Sequence, residues 1–123
     1  MKMTHEVVQH RDDDVLVVAF AGSIPPGSQG NKEAGIGYAY IETHLTTGHT
    51  ALVVDLADLD YAWGDYVGDW LASAVRKRIP IRLVATGTTA KALMGLLGAP
   101  DLANILGEPM LQPTVDAALD SLP

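Results

Sequence analysis

Four histidines, His5, His10, His44 and His49, are the side chains of this sequence best suited to metal ligation or to proton transfer near neutral pH. They show no metal-ligand spacing, and His44 and His49 fall at the end of a predicted helix, where an imidazolium meets the dipole favourably. Asp55, Asp58 and Asp60 could line an acidic magnesium pocket. Phosphate chemistry there also needs a lysine following a late strand, and Lys91 falls inside a predicted helix instead. Gly87-Thr88-Thr89-Ala90-Lys91 lacks the G-x-x-x-x-G-K-[ST] frame of a phosphate loop, and a capped helix start accounts for it better. There is no G-x-S-x-G elbow, and no Ser–His–Asp set is suggested by order or spacing. The chain has no cysteine, which removes thiol nucleophiles, disulfides and cysteine metal sites. These residues predict no enzyme, no metal and no cofactor.

The remaining chemistry is that of recognition. Tyr61, Trp63, Tyr66 and Trp70 crowd one passage, and with them stand both tryptophans of the chain. Trp70 falls on the apolar stripe of a helix and belongs to the core. Trp63 falls in a turn with no obvious room to bury it, which favours an interface anchor. Asp65 opens the same helix. One reading is a cap, since a carboxylate there accepts from free N–H groups; the other is a fixed negative charge offered to a partner. Net charge is −7, with the acids spread over the length, so phosphate backbones are repelled and a basic protein surface is the better partner.

The elements that must position these residues follow from periodicity. With 123 residues, 48% hydrophobic and 19% charged, the chain has the size and composition of one folded domain over 1–123. It has neither a signal core near its first residues nor the ~20 apolar residues of a membrane span. Glu6–His10 and Val15–Ala21 read as an antiparallel hairpin around the polar Arg11–Asp14 turn. A Gly- and Pro-rich loop from Ser23 to Asn31 follows. Lys32–Thr47 is a predicted helix with Ile36, Tyr40, Ile41 and Leu45 on one face, and Gly48 stops it.

Ala51–Leu56 is a nearly continuous apolar run, the mark of a strand buried on both faces of a mainly parallel sheet. Asp65–Arg78 is the best helix, with Val67, Trp70, Leu71, Ala74 and Val75 inward and Asp69, Ser73, Arg76 and Lys77 facing water. Ile81–Ala85 is another strand. Thr88 or Thr89 caps the next helix, which turns Ala92, Leu93, Leu96 and Leu97 inward. A connector over Leu102–Met110, with room for one short strand, leads to a helix over Pro113–Leu122 bearing Val115, Ala118, Leu119 and Leu122 on one side. The order predicts an α/β fold: a mixed four- to five-stranded sheet opened by a hairpin and packed by about four helices.

This order, and the segments Leu52-Val53-Val54-Asp55-Leu56-Ala57-Asp58-Leu59, Ile81–Gly87, Leu93–Ile105 and Thr114–Leu119, resemble the STAS domain of anti-sigma-factor antagonists. In that family the third strand runs into an Asp-Ser-Ser-Gly-like turn whose hydroxyl is phosphorylated by a partner kinase. Here the matching positions are Trp63-Gly64-Asp65-Tyr66. Asp65 stands at the phosphosite position, and a register one residue earlier gives Gly64; neither can be phosphorylated. The resemblance implies a non-catalytic regulatory interaction module of the bacterial cytoplasm, not switched at the usual place. Its implied partner is a regulatory protein such as an anti-sigma factor or kinase, met by Ser23, Ser28, Tyr61, Trp63, Gly64, Asp65, Tyr66 and Asp69. It implies no nucleic acid, membrane, cofactor or metal, and leaves a homodimer open. Two other readings stand beside it: a ligand-binding domain of the same fold with a pocket near Trp63, and an enzyme fragment related to crotonase or serine-hydrolase folds.

Overall fold

A hairpin opens the chain, and the sheet extends from its second strand. In the computed structural model, which describes residues 1–25, 27–60, 66–97 and 110–123, β1 (Lys2–His10) pairs antiparallel with β2 (Asp13–Ser23) from Lys2 opposite Ala21 to His10 opposite Asp13. The strands are longer than the apolar runs suggest, and the turn is only Arg11-Asp12. Both residues are left-handed, at φ 51° and 70°, as a type I′ turn requires to match the strand twist. Neither is glycine, so the turn carries backbone strain.

From β2 the sheet grows in parallel: β3 (Ala51–Asp55) beside β2, β5 (Ile81–Val84) beside β3, and β6 (Leu111–Gln112) beside β5. β4 (Leu59–Asp60) pairs with the far end of β2, so among the described residues the sheet has six strands rather than four or five. The helices are α1 (Ser28–His44), α2 (Tyr66–Lys77), α3 (Gly87–Leu97) and α4 (Val115–Asp120). The expected class, an α/β fold with a mixed sheet opened by a hairpin and four described helices, is what the structure has.

Alternation along the strands sends residues to two different cores. Leu16, Val18 and Phe20 of β2, with Leu52, Val54, Ile81 and Leu83, pack against Ala34, Ile41, Trp70, Leu71, Ala74 and Leu93 of α1, α2 and α3. Val15 and Val17, with Ala51, Val53 and Val84, pack against Ala118, Leu119 and Leu122 at α4. The predicted helix bearing Val115, Ala118, Leu119 and Leu122 therefore turns these residues to a core, as expected, and it is alone on that face among the described elements.

Four expectations need correction, the first being the loop over Ser23–Asn31, whose last four residues, Ser28–Asn31, already belong to α1. The inward face of α1 is Gly30, Ala34, Gly37 and Ile41, followed by the buried Leu45, while Ile36 is 46% exposed. The reason is Trp70, whose ring lies over Gly37: a Cβ there would come within 2.7 Å of Nε1, which donates to the Ala34 carbonyl at 3.0 Å. Small residues admit the indole, and the larger Ile36 is turned away. On α2, Ser73 is fully buried and Val75 is 37% exposed, the reverse of the amphipathic reading. Ser73 can be buried because its hydroxyl donates to the Glu42 carboxylate of α1. Neither Thr88 nor Thr89 caps α3. Both lie inside its first turn, and Thr86 supplies the carbonyl that accepts from Ala90. The last turn of α2 closes through Arg78 at φ 57°, with the Ile79 N–H on the Ala74 carbonyl, a Schellman ending formed without glycine.

Candidate functional site

Strand direction decides which loops meet. β2 and β4 are parallel, so Ser23 and Asp60, which stand opposite each other, leave the sheet at the same carboxyl edge, where α/β sheets hold their ligands. The chain reaches that edge through a fixed turn after β3. The Asp55 carboxylate accepts the Ala57 N–H at 3.0 Å, and the Leu59 N–H donates to the Leu56 carbonyl at 3.1 Å. Gly22, at φ 101°, donates to the Asp58 carbonyl at 3.0 Å and carries β2 past the end of β3. The Thr89 hydroxyl then donates to the Leu59 carbonyl at 2.9 Å, tying the first turn of α3 to β4. β2, β4 and α3 thus form one frame around the edge.

The residues named from sequence fall on this frame unequally. Ser23 is exposed at the tip of β2. Ser28 is exposed as the first residue of α1, preceded by Gly27 at φ 73° with no side-chain cap. Tyr66 opens α2, and Asp69 is exposed in its first turn. Tyr61, Trp63, Gly64 and Asp65 lie outside the described residues, so the choice between cap and presented charge for Asp65 falls there too. Among the described residues the edge unites Ser23, Asp60 and the residues that open α3. Nothing in the sequence marks Asp60 or Thr89 as a partner or framing residue. A two-residue strand has no periodicity to betray it, and the hydroxyl that frames it is 30 residues further on.

Beside the edge, on the sheet face that α4 shares, a shallow groove of about 160 Å3 is lined by Lys2, Thr4, Ala19, Ala21, Asp55 and Asp58. Its small floor residues and mixed charges suit contact with polar groups. Among the described residues, no group of three or more His, Asp or Glu is placed to hold a metal ion. Nor is any helix among them long and apolar enough to cross a membrane.

A cluster of electrostatic pairings joins α2 to α1. Glu42 is held below the usual carboxylate range, first by the Ser73 hydroxyl and then, against its partial burial, by the charges of Arg76 and Lys77. Arg76 reaches Glu42 at 2.7 Å and the Tyr38 hydroxyl at 3.0 Å, and these contacts raise its own pKa, the Tyr38 bond most. In the same C-terminal turns of α1, His44 stacks on His5 with ring centroids 3.8 Å apart, and the His5 Nδ1 meets the Tyr40 hydroxyl at 2.5 Å. Burial first, and the neighbouring His5 second, lower the pKa of His44.

Comparison with solved structures finds this architecture in the crystal structure of an anti-sigma factor antagonist from Mycobacterium paratuberculosis, at a TM-score of 0.54 and 23% identity. The match covers 98% of this chain and 94% of that one. The fold is therefore STAS-like. No family model matches the sequence, and no curated protein does.

Proposed function

We propose that this chain is a non-catalytic regulatory module of the anti-sigma-factor-antagonist kind, one domain that docks a partner protein with the carboxyl edge of its sheet. The observation that carries the reading is the parallel exit of Ser23 and Asp60 beside the framed first turn of α3. The STAS-like fold supports it, because the match to the solved antagonist covers 98% of this chain. The partner is a regulatory protein, an anti-sigma factor or its kinase, and its contacting surface is basic, since this chain carries a net charge of −7. Position 65, where the resemblance puts the phosphorylated serine, holds a carboxylate. A carboxylate has about half the charge of a phosphoserine, so the module works without the usual switch and presents a fixed, weaker charge. Its setting is the cytoplasm.

Affinity capture tests the reading. The wild-type chain, a Ser23→Arg/Asp69→Arg variant and an Asp116→Arg control on α4 are used as bait in lysate of the native organism. A regulatory protein retained by wild type and control but lost by the double variant is the expected result. Equal retention by all three baits would remove the carboxyl edge from the interface.

A further inference from the structure

β1 is an outer strand, paired with β2 alone among the described elements. Its free side follows from the turn. A two-residue connection makes the flanking pair, His10 and Asp13, a hydrogen-bonded one. Counting back in twos, Lys2, Thr4, Glu6 and Val8 also bond to β2, while Met3, His5, Val7 and Gln9 turn their N–H and C=O groups outward. No described backbone group takes them up. The usual protections of an edge are thin here. There is no proline in β1, the register runs unbroken over nine residues without a bulge, and Val7 is 54% exposed.

We propose that β1 pairs antiparallel with β1 of a second copy of this chain, about a two-fold axis through Thr4, joining two sheets into one. A two-fold axis normal to the sheet keeps each face on its own side, so only residues of like parity can stand opposite one another. That leaves few registers, and side-chain charge separates them. An axis at Glu6 sets Glu6 against Glu6. One at His5 sets His5 against His5 and Lys2 against Val8, and one at Val7 gives Glu6 only Val8. The axis at Thr4 sets Lys2 against Glu6 twice, once on each side, with Thr4 opposite Thr4 between them. Opposite charges and paired threonines are the favourable cross-strand neighbours. On the other face it brings Met3 opposite His5. Few residues are joined and each copy carries −7, so the dimer is a weak one, below the size of a stable interface.

Sedimentation velocity on the full chain, over a concentration series, tests this. Wild type is expected to move from monomer towards twice the monomer mass as concentration rises. Lys2→Glu and Glu6→Lys each place like charges across the axis twice, and each should weaken association about tenfold. Lys2→Glu/Glu6→Lys should restore it. Circular dichroism verifies that the variants, all at exposed positions, remain folded. A monomer at every concentration would overturn the proposal. So would a dimer indifferent to the single changes, or a double variant no better than its parents.

Discussion

The two faces of the sheet are held by different means. Behind β2, β3 and β5, α1 and α2 are locked by side chains: Trp70 over Gly37, and Ser73 and Arg76 on Glu42. On the opposite face the six-residue α4 is held partly by backbone. Arg11 donates to the Asp120 and Leu122 carbonyls at 3.2 and 3.0 Å, and Arg82 to the Ser121 hydroxyl and carbonyl at 2.8 and 2.9 Å. Two guanidiniums thus satisfy the carbonyls that a short helix leaves free at its end. The difference follows from what each helix carries. α2 follows β4 in the chain, and the buried Trp70 directly after its first turn holds that turn by close packing. α4 only closes a core, and a clamp on its end is enough.

The largest break in that comparison is Trp70→Ala, which empties the α1–α2 seam. We expect a loss of about 3–5 kcal/mol in denaturant unfolding. Gly37→Ala, which pushes a methyl into the indole, should cost about 1–3 kcal/mol. Arg82→Ala attacks the other face. It strands the Ser121 groups and should cost about 1–3 kcal/mol, with amide exchange rising over Val115–Ser121 while α2 stays protected. Asp12→Gly relieves the left-handed turn and should add up to about 1 kcal/mol of stability, leaving both faces as they are.

Acid sharpens the contrast further, because the shifted groups of α1 lose stability in two separate windows. His44 has a lowered pKa in the folded chain. As pH falls through the unfolded value of 6.5, the unfolded chain takes up a proton that the folded one refuses, and stability declines. Glu42 is also lowered, so its contribution is present above 4.5 and is lost as pH falls through its folded value. Denaturant unfolding at a series of pH values should show both declines. His44→Gln should remove the upper one and Glu42→Gln the lower.

Legibility in the sequence was divided along similar lines. Elements defined by their own residues were readable. The apolar run at Ala51 does become a strand with Ala51–Val54 all buried, and the spacing of Ala118, Leu119 and Leu122 does mark a core face. Features made by a distant partner were not. Ser73 reads as polar surface until Glu42, 31 residues away, is brought to it. Gly37 reads as a weak point of a helix until Trp70 lands on it. β4 is two residues long, and the β2 tail that makes it a strand lies far back in the chain. Of the partner-binding set, the loop end at Ser23 and the start of α2 were placed by strand order alone. The roles of Trp63 and Asp65 depend on residues beyond those described.

Because neither Gly64 nor Asp65 offers a hydroxyl, treatment with an anti-sigma-type kinase should leave both unmodified in mass spectra. Phosphate on Ser23, Ser28 or Thr88 would show that a switch exists elsewhere on the same edge.

Amide hydrogen exchange of this chain, with and without the captured partner, tests the docking edge most directly. New protection is expected at Ser23, Asp60 and the Tyr66–Asp69 turn of α2, with α4 and the Arg11 turn unchanged. Protection confined to α4 and the Arg11 turn would contradict the account.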